Sequence, residues 1–175
     1  MNERERRCYS MAEASAVEEE ALATLVAYLA SRPGTLEVQD VRDDSFFRAA
    51  DVDLLWTWRG ASGQDHTTWL EVKADRWHQT GNFFFETVSN KARGTPGCFL
   101  YTEAEYLLYY FVTPRSAYLL PLPATRAWFL DQQARFAERE TSTPVGDGAH
   151  YVTVGRLVPI ADVVEQVPGV LLRQL

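Results

Sequence analysis

Lysine is nearly missing from this chain: of seventeen basic residues only Lys73 and Lys91 are lysines, and the rest are arginines. Cysteine is as scarce. Cys8 and Cys98 are too few for a disulfide framework, and no Cys/His spacing suggests zinc. The three histidines, His66, His78 and His150, are scattered and read as surface or loop residues. No apolar run approaches the roughly twenty residues that span a bilayer, and the charged opening Met1 to Arg7 lacks a following hydrophobic segment. These absences argue against a membrane protein, a secreted disulfide scaffold and a zinc finger, and they point to the cytoplasm. Positive charge is short as well. With 24 acidic residues the net charge is −7, which argues against a generic nucleic-acid coat.

What is present supports one well-packed unit. Hydrophobic residues make up 46% of the chain and aromatics 13%, enough for a sizeable core in 175 residues. Repeats and low-complexity tracts are lacking, so residues 1–175 read as a single domain, with 1–12 as a flexible N-terminal tail. Ser10 to Ser31 is helical: Leu22, Leu25 and Leu29 form one stripe, and Arg32-Pro33-Gly34 stops it. Leu36 to Phe47 reads as the first strand and Phe83 to Val88 as the fourth. Tyr106 to Thr113 and Ala117 to Leu122 form a hairpin turned at Pro114-Arg115. A helix from about Thr125 to Glu138, a polar loop through Gly148, a strand from Tyr151 to Val158 and a short helix after Pro159 complete the order. Such an order predicts an α/β fold around a central mixed β-sheet flanked by helices.

One of the two lysines sits in the middle of a strand. A chain that writes its charge as arginine has placed a compact ammonium at Lys73, inside Thr68-Trp-Leu-Glu-Val-Lys-Ala74. Alternation puts Trp69, Glu71, Lys73 and Asp75 on one face and Leu70, Val72 and Ala74 on the other. The apolar face is expected to meet the core and the charged face a cleft or water. Upstream, Asp51-Val-Asp-Leu-Leu-Trp-Thr-Trp58 alternates in the same way, and Arg59 to Asp65 can close a hairpin between the two strands. A loop symmetric about Ser62 places Asp53 opposite Glu71, whereas a two-residue slip places Asp51 there. Two carboxylates about 5 Å apart repel unless a cation lies between them. The plain alternative is a solvent-facing hairpin on which Glu71 and Lys73 form a weak surface pair.

An Asp strand followed by Glu-x-Lys on its antiparallel neighbour resembles the metal-binding motif of the PD-(D/E)xK nuclease superfamily, which includes restriction endonucleases and Holliday-junction resolvases. The likeness runs from Asp51 through Thr87, taking in Thr80-Gly-Asn-Phe-Phe-Phe-Glu-Thr87, and continues over Gly97 to Phe111, which looks like the family's next strand, with Glu105 in place of a more usual Asp. The resemblance implies a restriction-endonuclease-like fold and a Mg²⁺-dependent endodeoxyribonuclease, with Mn²⁺ able to substitute and no small-molecule cofactor. It makes Asp53, Glu71 and Lys73 the catalytic set, and Asp53, Glu71 and the Val72 carbonyl the metal ligands. Glu18, Asp51, Asp75 and Glu86 are further candidate ligands. Glu18 falls in the stripe of the first helix, although a first-turn Glu favoured by the helix dipole explains it too. Lys73 would orient or deprotonate a water, its pKa lowered by the metal and by desolvation.

The remaining expectations concern partners. The substrate is DNA, with junction or branched DNA as one option, and Arg59, Arg76, Trp77, His78, Lys91 and Arg93 are the candidate contacts. Cutting both strands calls for two sites, hence a homodimer, and the apolar stretch Tyr106 to Leu122 reads equally as its interface or as a hairpin in the monomer core. Two alternatives come from other classes: a catalytically silent nucleic-acid-binding or assembly subunit on the same fold, and a partner surface made of Trp56, Trp58, Trp69 and Trp77.

Overall fold

A computed structural model describes residues 11–144 and 150–175. Its first helix, α1 (Met11–Ala30), lies against a six-stranded sheet of β1 (Thr35–Asp40), β2 (Leu54–Arg59), β3 (Asp65–Asp75), β6 (Tyr106–Phe111), β7 (Ser116–Pro121) and β10 (Leu171–Gln174), in that spatial order. The β3–β6 pair is parallel and every other pair antiparallel, so the sheet is mixed. A second sheet orders β5 (Thr95–Pro96), β4 (Asn82–Asn90), β9 (His150–Pro159) and β8 (Ala137–Pro144). Between strands lie the helices α2 (Ser45–Ala49), α3 (Cys98–Tyr101), α4 (Leu122–Gln132) and α5 (Ile160–Gln166), with single 3₁₀ turns at His78–Thr80 and Gln133–Arg135. The expected central mixed sheet is present. Helix α1 covers one of its faces, but the other is covered largely by the second sheet rather than by helices alone.

Two apolar clusters fix this layering. Leu22, Leu25 and Leu29 of α1 are buried against Leu54, Leu70, Leu108 and Tyr110, so the stripe read from the sequence is the one that packs. On the opposite face Leu107, Tyr109 and Phe111 meet Phe83 and Phe85 of β4, Phe129 of α4 and Val158 of β9. Each fully buried side chain of this size contributes roughly 1.5–3 kcal/mol of transfer free energy, so the two clusters dominate the packing. No helix among the described residues is long and apolar enough to cross a membrane.

The hairpin register matches the expectation. Leu54 pairs with Leu70, Trp56 with Thr68 and Arg59 with Asp65, the alignment that is symmetric about Ser62. Several other expectations are overturned. The first strand ends at Asp40, because Asp44 caps α2 by accepting from Phe46 N at 2.8 Å, a local bond that favours a helix start over continued strand. Gly97 to Tyr101 is not strand: Gly97 precedes α3, and β6 begins only at Tyr106. Helix α4 starts three residues earlier than expected and stops at Gln132, and the expected polar loop is strand β8, paired residue by residue with β9 from Ala137. Alternation in Ala137 to Pro144 is between polar residues, which hid this strand. Strand β10 had no expectation at all. Of the proposed tail, residues 1–10 lie outside the described residues, as do 145–149 of the proposed loop, whereas Met11 and Ala12 belong to α1.

Burial also decides two surface readings. Leu107, Leu108, Tyr109, Tyr110, Phe111 and Leu120 are buried inside the monomer, so of the two readings of the β6–β7 hairpin the core one holds. Trp56 and Trp58 are half-buried and donate to Thr35 Oγ1 at 2.9 Å and Thr68 Oγ1 at 3.1 Å, and Trp69 packs edge-on against Phe46 and Phe47. Of the four tryptophans named as a candidate partner surface, Trp77 alone is largely exposed.

Glycine is required at one position that bears on the site. A Cβ on Gly97 would lie 2.3 Å from the carbonyl oxygen of Glu86 and 2.8 Å from Thr87 N, both main chain of β4. The close approach is sealed by Gly97 N donating to Thr87 O at 3.0 Å. Gly97→Ala is therefore expected to cost about 1–3 kcal/mol in urea denaturation, as overpacked sites do. Equal stability of Gly97→Ala and wild type would mean that α3 does not sit tightly on β4.

Candidate functional site

The site begins with a mismatch in strand length. Strand β2 starts at Leu54, opposite Leu70, whereas β3 runs on to Asp75, so its second half has no β2 neighbour. Backbone groups of Leu70, Val72 and Ala74 point to the β2 side, as Asp53 N donating to Leu70 O at 2.9 Å shows. Beyond Leu70 they open into a notch. Unpaired strand edges need partners. Asp53 provides one, its Oδ2 accepting from Val72 N at 2.8 Å. In a strand the N–H and C=O of one residue face the same side, so the Val72 carbonyl projects into the notch beside Asp53.

Three elements bring acids and the lysine to this notch. Alternation on β3 sends Glu71 and Lys73 toward the second sheet, where Glu86 of β4 forms an ion pair with Lys73. The β4–β9 register shifts between Glu86 and Val88, a bulge of the kind that re-aims a side chain. From the α1 side, Glu18 and Leu22 reach the same space. Together Glu18, Asp53, Glu71, Val72, Lys73 and Glu86, with Arg42 and Cys98, line a cavity of about 240 Å³. Asp51 lies just behind it. Its backbone is left-handed at φ 55°, a conformation Asp tolerates better than most residues, and Thr102 Oγ1 donates to its carbonyl at 2.6 Å.

Burial of so many acids in one place controls their protonation. Glu71 is only 8% exposed, so the cleft-or-water environment expected for it is a buried one. Burial first, then the charges of Asp53 and Asp51, push its carboxyl well above the ordinary range. Burial and the Asp53 charge raise Asp51 to about 6, with a bond from Tyr101 OH at 3.3 Å working in the other direction. Asp53 is raised by burial, partly offset by the Val72 N–H. In the metal-free protein burial is the largest influence on Lys73 and disfavours its ammonium, but the Glu86 carboxylate together with its other negative neighbours outweighs it, so its pKa lies above the ordinary lysine value; the expected lowering refers to a lysine beside a bound metal. The thiol of Cys98 is pushed up by burial and by the Glu86 charge.

Not every candidate is in the cavity. Asp75 accepts from Tyr109 OH and from Trp77 N at 2.6 Å, which makes it an anchor for the loop after β3 and not a ligand. Arg59 pairs with Asp65 at the far end of the hairpin, roughly 20 Å from Glu71 at 3.3 Å per strand residue. Lys91 is paired with Glu140 on the second sheet. Arg76, Trp77 and His78 follow β3 directly, and Arg93 lies in the turn after β4. Three residues absent from the sequence reading belong here: Cys98, Arg42, which is held by Asp40 at 2.7 Å and Glu19 at 2.8 Å, and Tyr101. Nothing local in the sequence marks them, since Cys98 is 25 positions from Lys73 and is delivered by the fold.

Do these residues fit a divalent cation? Asp51 Oδ2 is buried without a hydrogen-bond partner, and Glu71 and Asp53 bring their carboxyls against each other. Metal-free, Glu71 and Asp53 are held together by a hydrogen bond between their carboxyls, and the one ammonium facing the three acids, Lys73, is already paired with Glu86; once ionised, hard oxygen donors this close favour a divalent cation, so the residues fit. The structural class is a mixed α/β domain with a buried acid–lysine cluster at a sheet notch. Compared with protein-family models, curated proteins and solved structures, the chain matches none.

Proposed function

We propose that this chain is a divalent-metal-dependent nuclease of the PD-(D/E)xK kind, with a restriction-endonuclease-like arrangement of its mixed sheet, acting on DNA phosphodiesters. One observation carries the reading: Asp53, Glu71, Val72 and Lys73 converge on a single notch from the two strands whose register the motif requires. Asp53, Glu71 and the Val72 carbonyl would hold Mg²⁺, with Mn²⁺ as substitute. When bound, such an ion supplies phosphate charge neutralisation and a more acidic water. Lys73, paired with Glu86, donates to a phosphate oxygen or orients the attacking water. Glu86 positions the ammonium. Glu18 lies across the cavity, where it can order water on the α1 side. Arg76, Trp77 and His78, in the loop that leaves β3, are the DNA contacts best placed for this notch. The intact acid–lysine set argues against a silent subunit.

The reading is tested by incubating the protein with Mg²⁺ or Mn²⁺ and linear duplex, single strand, flap and four-way junction. Cleavage of any of these that disappears with chelator is expected. No cleavage of any substrate, together with no divalent binding by calorimetry, ends the proposal. Within the site, Asp53→Asn is expected to weaken Mg²⁺ binding about tenfold or more, and Asp51→Asn much less, because Asp53 and not Asp51 lines the cavity. The reverse order in calorimetric titrations would make Asp51 the principal ligand.

A further inference from the structure

Cys98 has no role in the chemistry above, yet it lies in the middle of the acids. Its Sγ and one carboxylate oxygen each of Asp51 and Glu71 all lie within 4.8 Å of one another. Three observations mark this as a ligand set. Asp51 Oδ2 is buried with no hydrogen-bond partner. Glu71, more than nine-tenths buried, shares a hydrogen bond with the Asp53 carboxyl on one side and faces Asp51 on the other. Finally, the backbone is shaped to hold the donors: Gly97 lets α3 approach β4 closely enough to place Cys98, and the left-handed bend at Asp51 is tied down by Thr102.

The donor types separate this set from the outer one. Asp53, Glu71 and Val72 offer only oxygen, the preference of Mg²⁺. Asp51, Glu71 and Cys98 offer two oxygens and a sulfur, a combination that borderline and soft ions take and Mg²⁺ does not. A zinc-like ion holds sulfur at about 2.3 Å and carboxylate oxygen at about 2.0–2.2 Å, so donors already this close reach it by side-chain rotation alone. We propose that Asp51, Glu71 and Cys98 form an inner site for a thiophilic divalent ion of the zinc and cadmium kind, sharing Glu71 with the outer oxygen set and excluding Mg²⁺. Binding replaces the thiol S–H with a sulfur–metal bond and releases that proton to solvent. The inference deepens the metal-dependent reading of this cavity, but its measurement needs no cleavage.

Cd²⁺ is the probe, in a Cys8→Ser background so that Cys98 is the only thiol. Titration is expected to raise a thiolate-to-metal charge-transfer band in the ultraviolet. Cys98→Ser removes the band and lowers Cd²⁺ affinity about tenfold or more, Asp51→Asn lowers it similarly, and Mg²⁺ affinity is the same with or without Cys98. Circular dichroism of the metal-free variants checks folding, with Cys98→Ala as the second variant. A parent protein without the band overturns the inference, as does unchanged Cd²⁺ affinity in folded Cys98→Ser or Asp51→Asn. Loss of Mg²⁺-dependent cleavage alone would instead sink the nuclease reading and leave the inner site standing.

Discussion

Glu71→Gln and Lys73→Ala are each expected to lower divalent-dependent cleavage by about 10²–10⁴-fold while leaving a folded protein. Glu71 belongs both to the outer oxygen set with Asp53 and to the inner set with Asp51 and Cys98, so it is the one acid that both need. Its amide replacement keeps the shape and removes a charge that burial and two neighbouring acids oppose, so metal-free Glu71→Gln is expected to be at least as stable as wild type. Lys73→Ala differs. It leaves Glu86, which is only 15% exposed at its side chain, without its ion partner, and some stability is lost with the activity. The double variant Lys73→Ala/Glu86→Gln separates the effects, recovering stability and not cleavage. Rates are read at saturating DNA and metal, with melting curves for each protein. Wild-type rates in folded Glu71→Gln and Lys73→Ala would remove both residues from the chemistry.

Much of the site's first half was legible because it is local. Alternation sorts Leu70 from Glu71, and a hairpin symmetric about Ser62 fixes which residues oppose each other; both depend on a single loop and a two-residue period. The notch was not legible. It arises from β2 beginning only at Leu54, which in turn follows from the Asp51 bend and the Asp44 cap of α2, and neither produces an apolar pattern. The partner of Lys73 was hidden for the same reason. Glu86 comes from another sheet across a bulge, and this neighbour, brought in by tertiary structure, helps hold the metal-free ammonium above the ordinary lysine value. Strand β8 was hidden by its polar sequence, Ala137-Glu-Arg-Glu-Thr-Ser142, since an edge strand with little burial needs no hydrophobic alternation. Cys98 could be placed only once α3 was known to replace the expected strand.

The metal-free protein is expected to be most stable in mild acid and to lose stability between about pH 4 and pH 7. Asp51 is raised to about 6, Glu71 well above its ordinary value and Asp53 also upward, so the folded state binds more protons than the unfolded chain over this interval. Stability linked to these acids is complete below the unfolded carboxylate values and is lost as pH rises through the folded ones. Lys73 does not affect this window, because a raised lysine keeps its contribution until pH exceeds the ordinary lysine value. Divalent cations act in the opposite sense, since they need the ionised carboxylates. At a concentration about 100 times its dissociation constant, a bound ion adds about 2.7 kcal/mol, roughly 5–10 °C in melting temperature for a domain of this size. Melting curves from pH 4.5 to 8 should therefore fall with pH in chelator and flatten or rise in Mg²⁺ or Mn²⁺. Glu71→Gln should lose most of the dependence on both pH and metal. A chelated wild-type protein that becomes steadily more stable from pH 4.5 to 8 would mean that the acids at the notch are ionised and satisfied without a cation, and the notch would then be a structural charge cluster rather than a metal centre.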